Sequence, residues 1–226
     1  MRYIGVWITP EPKIRVVKDG SASIRLSEST KEELKRWNDR AFVLPPDDFS
    51  FRNIALDKEA NLTADMAPKA KVMDFMYFSP YLLATNIIIS QRAADFLAGY
   101  KMMACELVPV TLYNNGEDVP GRFYFWVNHK IRPELFDFGH AVIRSGTKGL
   151  GFQYHEVKDV TAYWQLIKEV RYTTFIKTKL KAPATPPDCM CILGSDIFVT
   201  EKFWHDYQKA GLIGLELIRE ELELVE

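Results

Sequence analysis

The spacing of apolar and polar positions divides the chain into short strands and a few amphipathic helices. Residues 2 to 8 and 13 to 17 carry the apolar density of strands, parted by Pro10-Glu11-Pro12. Thr30, with Glu33 at the capping-box spacing, opens a helix whose Leu34, Trp37 and Ala41 share one face. Pro45-Pro46-Asp47-Asp48 ends it, and residues 50 to 70, polar and weakly periodic, read as a long surface loop. Residues 72 to 78 read as a buried strand halted by Ser79-Pro80. Asn86 to Ser90 then leads into an amphipathic stretch ending near Tyr100, with a strand at 105 to 113 behind it.

Asn114-Asn115-Gly116 is a strong turn signal, and Gly121 closes the following loop. Between Phe123 and His129, Phe123, Phe125 and Val127 face one way and Tyr124 and Trp126 the other. A strand apolar on both faces belongs in the middle of a sheet. Asp159 caps a helix bearing Tyr163, Leu166, Ile167 and Val170. Beyond it Ile176, Thr178 and Leu180 alternate with Lys177, Lys179 and Lys181, the period of a half-exposed strand. Residues 182 to 188, with three prolines, read as a loop.

Two segments superpose without a gap at an offset of 110: residues 86 to 107, NIIISQRAADFLAGYKMMACEL, and residues 196 to 217, DIFVTEKFWHDYQKAGLIGLEL. In each, a buried strand ends at a hydroxyl residue, Ser90 or Thr200, suited to capping the next helix, which turns back into an apolar strand. The unit predicts an α+β fold, helices on a mainly antiparallel sheet, with a pseudo-repeat of strand–helix–strand. The expected organisation is a single domain over 1–226, with an N-terminal layer over 1–70 and a main body over 71–226.

Composition narrows the function. With 226 residues, 47% hydrophobic and 26% charged, the chain is that of a globular protein and not of a disordered one. Lys+Arg number 29 and Asp+Glu 30, without the basic excess of a nucleic-acid binder. No signal-peptide pattern and no apolar run of spanning length is present, so no membrane association is expected. Three cysteines, Cys105, Cys189 and Cys191, form no disulfide framework, which predicts a cytoplasmic setting. The near-neutral total conceals opposed segments, +4 over 158 to 181 and −4 over 201 to 226.

No catalytic motif emerges. Cys189-Met190-Cys191 lacks the second ligand pair of a zinc site and reads as the buried start of a strand. Ser145, Ser195, His140 and His155 include the elements of a triad, but no nucleophile elbow is present. Ser145 to Gly151 departs from the P-loop order and reads as a hairpin or exposed loop. No cofactor, no metal and no catalytic residue is therefore expected.

The order IIISQRAADFL, CELVPVTLY, YFWVNH with LFDF, KDVTAYW and DIFVTEKFWHDYQKAGLIGLEL, over roughly residues 70 to 217, resembles a known pattern. It is similar to immunity proteins of bacterial polymorphic toxin systems, the large α+β families once catalogued as domains of unknown function. The matching positions are Ser90, Tyr124, Asn128, Asp137, Val199, Thr200, Gly211, Gly214 and Leu215. The resemblance implies a cytoplasmic, non-enzymatic protein, monomer or weak homodimer, that neutralises a cognate toxin by contact. Charge pattern nominates Asp47, Asp48, Glu220, Glu221 and Glu223 as the partner surface, since acidic groups steer a basic partner. The alternative is a small hydrolase or transferase with a pocket around His129, Asp137 and His140.

Overall fold

The computed structural model describes residues 2–8, 22–41, 61–79, 87–102, 105–128, 130–131, 133–147, 151–170, 173–180, 187–192 and 197–224. The protein is α+β, with strands dominant and four helices among the described residues. Pairings are antiparallel except for four parallel ones, noted below.

The first half is a closed ring of six strands. In chain order they are β2 (Ile24–Leu26), β3 (Thr63–Met66), β4 (Phe75–Ser79), β5 (Ile87–Ser90), β6 (Cys105–Asn114) and β8 (Phe123–Asn128), with the two-residue β7 (Glu117–Asp118) hairpinned onto β6. Around the ring the order is β2-β3-β6-β8-β5-β4, closing through the parallel pairs β3–β6 and β4–β2. Asn115 and Gly116 both take positive φ in the β6–β7 turn, as a tight hairpin with right-handed strand twist requires. Alternate residues fill the interior: Met76, Phe78, Ile88, Val108, Val110, Leu112, Phe123, Phe125 and Val127. Helix α1 (Glu28–Ala41) adds Leu34, 1% exposed, to that core.

The second half repeats the plan. Its strands are β9 (Lys130–Ile131), β10 (Phe136–Thr147), β12 (Thr174–Leu180), β13 (Cys189–Ile192), β14 (Ile197–Thr200) and β15 (Leu215–Leu224), completed by β1 (Arg2–Ile8). The order is β10-β12-β15-β1-β14-β13-β9, with β12–β15 and β13–β9 parallel. Each of the six pairings of the first ring has its counterpart here, with β12 in place of β3, β15 of β6, β14 of β5, β13 of β4 and β1 of β8, while an eighth strand, β11 (Gly151–Glu156), extends the sheet beyond β10. The role of β2 is shared by β9 and β10, which a 3-10 turn at Pro133–Leu135 separates. β6 and β15 start and end 110 residues apart, as do the strand ends Ser90 and Thr200. The odd strand is β1, which fills the place of β8 but sits at the opposite end of the chain. Arg2 pairs with Glu223, so the two described chain ends lie side by side. Helix α3 (Val160–Glu169) inserts Tyr163 into this core, against Phe138 and Phe175.

Between the halves lies a shared core from the outward faces of both rings. Phe75, Ile87, Ile89 and Trp126 come from the first and Val6, Ile197, Val199 and Leu215 from the second. Helices α2 (Gln91–Leu97) and α4 (Glu201–Lys209) cover it, with Phe96 edge-on to Phe203 at 5.2 Å. Their caps match: Ser90 (φ −74°, ψ 163°) accepts the N–H of Ala93, and Thr200 (φ −67°, ψ 156°) that of Phe203. β8 thus carries two cores on its two faces, as its doubly apolar pattern predicts.

Some expectations change. The helix at 30 starts earlier: Ser27 is the residue whose hydroxyl accepts a main-chain N–H three residues on, that of Thr30, at 3.2 Å. The Thr30 hydroxyl instead donates to Thr63 O and accepts Thr63 N–H, both at 2.9 Å, tying α1 to β3. The polar stretch from 50 to 70 contains a strand, β3, whose Ala64 and Met66 are buried because ring closure needs it. In β12 the deepest apolar side chain is Phe175, on the lysine register, because the β10–β12 pairing shifts between Val142 and Ile143, where β12 carries one extra residue, Ile176. The strand expected at 13 to 17, the turns at 10 to 12 and 45 to 48, and most of the 182 to 188 loop lie outside the described residues.

Candidate functional site

Two aspartates occupy equivalent places, Asp74 just before β4 and Asp188 just before β13. The Asp74 carboxylate accepts the Ser90 hydroxyl at 2.8 Å and the Ile213 main-chain N–H at 3.0 Å, and pairs with Arg92 at 3.3 Å. The Asp188 carboxylate accepts the Lys101 N–H at 3.0 Å and the Thr200 hydroxyl at 3.4 Å. Each therefore braces its own cap residue and holds the segment behind the other half's helix. The Ile213 segment also comes close enough to β4 that a side chain on Gly214 (φ +119°) would meet Phe75 O at 2.2 Å. The resemblance positions Ser90, Thr200, Gly211 and Gly214 thus have structural work at this junction.

The Asp74 side opens to solvent as a hollow of about 370 Å³ lined by Val72, Asp74, Gln91, Arg92, Arg122 and Ile213, among others. Val72 and Ile213 are 43% and 48% exposed, an apolar floor, while Arg92 and Arg122 stand exposed at its edge. The edge is rigid. Arg92 also donates to Ala210 O, Gln91 donates to Asp95 at 2.7 Å, and the Tyr124 hydroxyl donates to Gln91 Oε1 at 2.5 Å. A second hollow, about 550 Å³, shares Gly121, Arg122 and Phe123 with the first and extends along β6 to Asp118. No local sequence pattern marks this site, because Asp74 and Ile213 are 139 residues apart.

The residues nominated from sequence are dispersed. Asp47, Asp48 and His129 lie outside the described residues. Glu220 and Glu221 lie on β15, their side chains outside the description. Glu223 is exposed, with Lys177 Nζ 3.6 Å away across the β12–β15 pair. The opposed charge segments are therefore neighbours in one sheet, where the Lys177–Glu223 pair links them. Asp137 and His140 do come together, 3.0 Å apart, on an exposed irregular stretch of β10. The His140 hydrogen bond, then that from Gly139 N–H, holds the Asp137 carboxyl below its ordinary range, which weakens it as a base. The adjoining hollow, about 300 Å³, takes in Asp137, Lys158 and Asp159.

Ser145 and His155 are hydrogen-bonded at 2.7 Å across β10 and β11 (Gly151–Glu156), with Ser145 3% exposed. The Ser145–Gly151 stretch accordingly joins paired hairpin strands, as its sequence predicts. Cys189 and Cys191 are buried in β13, and burial pushes the Cys189 thiol far up, as it pushes up that of Cys105. Raised thiols are poor nucleophiles and poor metal ligands. Among the described residues no group of three His, Cys, Asp or Glu side chains is placed to hold a metal ion. No described helix is long and apolar enough to cross a membrane.

These features define an α+β protein of one closed strand ring and a second, open one that repeats its strand order, joined across a hydrogen-bonded junction with an open apolar hollow. No protein-family model and no curated protein matches the chain.

Proposed function

We propose that the chain is an immunity-type protein that binds a cognate toxin and neutralises it by protein–protein contact. The observation that carries this reading is the junction hollow, where Val72 and Ile213 lie open to solvent beside two exposed arginines. An apolar centre suits the buried core of an interface, and arginine is among the residues enriched there. The bracing of Asp74, Arg92 and Gln91 adds preorganisation, which lowers the ordering cost of association. The toxin surface that fits is apolar with acidic flanks. Neutralisation then follows from covering or distorting the toxin's working face, with no chemistry asked of this chain.

The hydrolase alternative draws on the Asp137–His140 pair. Its exposed position and lowered carboxyl pKa favour a surface polar contact over a general base. The test is co-expression with the toxin-domain product of the adjacent open reading frame. Wild type is expected to restore growth and to co-purify, while Ile213→Asp and Arg122→Glu lose both and retain the wild-type melt. A toxin domain that neither binds nor is neutralised by the wild-type chain would refute the reading.

A further inference from the structure

The eight-stranded sheet ends at β11, which among the described residues is paired on one side only, with β10. The other end of that sheet is the two-residue β9, and the first ring is closed apart from the two-residue β7. Five of the six residues of β11 are exposed and His155 is half-buried. β11 pairs with β10 without a bulge from Val142–Glu156 to Thr147–Gly151, so the ribbon is regular. Exposed edges are normally blunted by lysine, proline, a bulge or shortness. β11, Gly-Phe-Gln-Tyr-His-Glu, has none of these. Its solvent face instead shows Phe152, 43% exposed with the Arg144 guanidinium 4.2 Å above its ring, and Tyr154, 65% exposed. On the opposite face Ser145 bonds His155, which holds the ribbon in register.

We propose that β11 pairs with β11 of a second copy of the chain, antiparallel about a two-fold axis through Gln153, so that the two eight-stranded sheets run on as one. The strand is self-complementary in this register. Phe152 falls opposite Tyr154 of the other copy, twice over, and Gln153 opposite Gln153, giving two cross-strand aromatic pairs and an amide pair. Gly151 faces His155, and Glu156 falls beyond the end of the other copy's strand, so no like charges are opposed. The surface is small. Six residues span about 20 Å, short of the roughly 800 Å² per partner of a stable complex. The dimer is therefore weak and concentration-dependent, and it is independent of toxin binding.

Sedimentation velocity over a dilution series tests this directly. The wild-type chain is expected to shift from a 26.1 kDa monomer toward twice that mass as concentration rises. Tyr154→Lys and Phe152→Lys, both at exposed positions, are expected to stay monomeric with an unchanged circular dichroism spectrum and melt. Gln153→Cys, on the axis, is expected to form a reducible dimer under mild oxidation, several-fold faster than Glu156→Cys. A wild type that stays monomeric at every concentration overturns the proposal and leaves the edge to a foreign strand. A dimer that Tyr154→Lys does not weaken, or equal cross-linking at 153 and 156, overturns it too.

Discussion

Asp74 gathers donors from three places: the Ser90 hydroxyl, the Arg92 guanidinium and the Ile213 main chain. It is 6% exposed, so removing the carboxylate leaves the Ser90 hydroxyl and the Ile213 N–H without their acceptor, while the exposed Arg92 turns to solvent. Asp74→Ala is expected to cost about 2 kcal/mol in urea unfolding, within the range for leaving donors unsatisfied. The same change at the half-buried Asp188 should cost less. Gly214→Ala should be as severe as Asp74→Ala, since its Cβ would collide with backbone at a positive φ. Burial pushes Tyr207 up to about 12, and burial followed by the Asp206 hydrogen bond pushes Tyr100 up to about 12. Unfolded, both return to an ordinary value of about 10. The unfolded chain then releases protons that the fold keeps. Stability is intact below about pH 10 and falls as pH rises through the window up to about 12. The urea midpoint should decline over that window, less so in Tyr100→Phe.

At the scale of elements, the matched caps give a paired expectation. Ser90→Ala and Thr200→Ala should each cost about 1 kcal/mol by denaturant unfolding. Ser90 should cost more, because its hydroxyl also serves Asp74 at 2.8 Å against 3.4 Å for the Thr200–Asp188 bond. These two units were legible in the sequence because everything that makes them is local: a buried apolar strand, a capping hydroxyl, an amphipathic turn. The central place of β8 was legible for the same reason, since both its faces are apolar. Ring closure was not. Thr63–Met66 is too short and polar to announce a strand, and its partners β2 and β6 are far from it in sequence on either side. Nor was the site, because the Ile213 segment reaches Asp74 only through the packing of one half on the other. The charge segments were visible, but the Lys177–Glu223 pairing across β12 and β15 depends on strand order.

For the whole molecule, the equivalence of the two rings explains an odd connection. If β1 is the last strand of the second ring, moving it behind β15 restores the chain order of the first. Arg2 already lies opposite Glu223, so a short turn can join the described ends. A permutant that begins near Ala22 and runs through β15 into β1 is expected to fold cooperatively, with the wild-type spectrum and a melt within a few degrees of wild type. Failure to fold would show that β1 is not an interchangeable last strand. The functional account turns on the junction hollow, and titration calorimetry with the adjacent toxin domain tests it most directly. Specific binding by the wild-type chain and at least a tenfold loss in Ile213→Asp are expected, with Glu223→Lys, already neighboured by Lys177, close to wild type. Full affinity in Ile213→Asp together with a large loss in Glu223→Lys would contradict it.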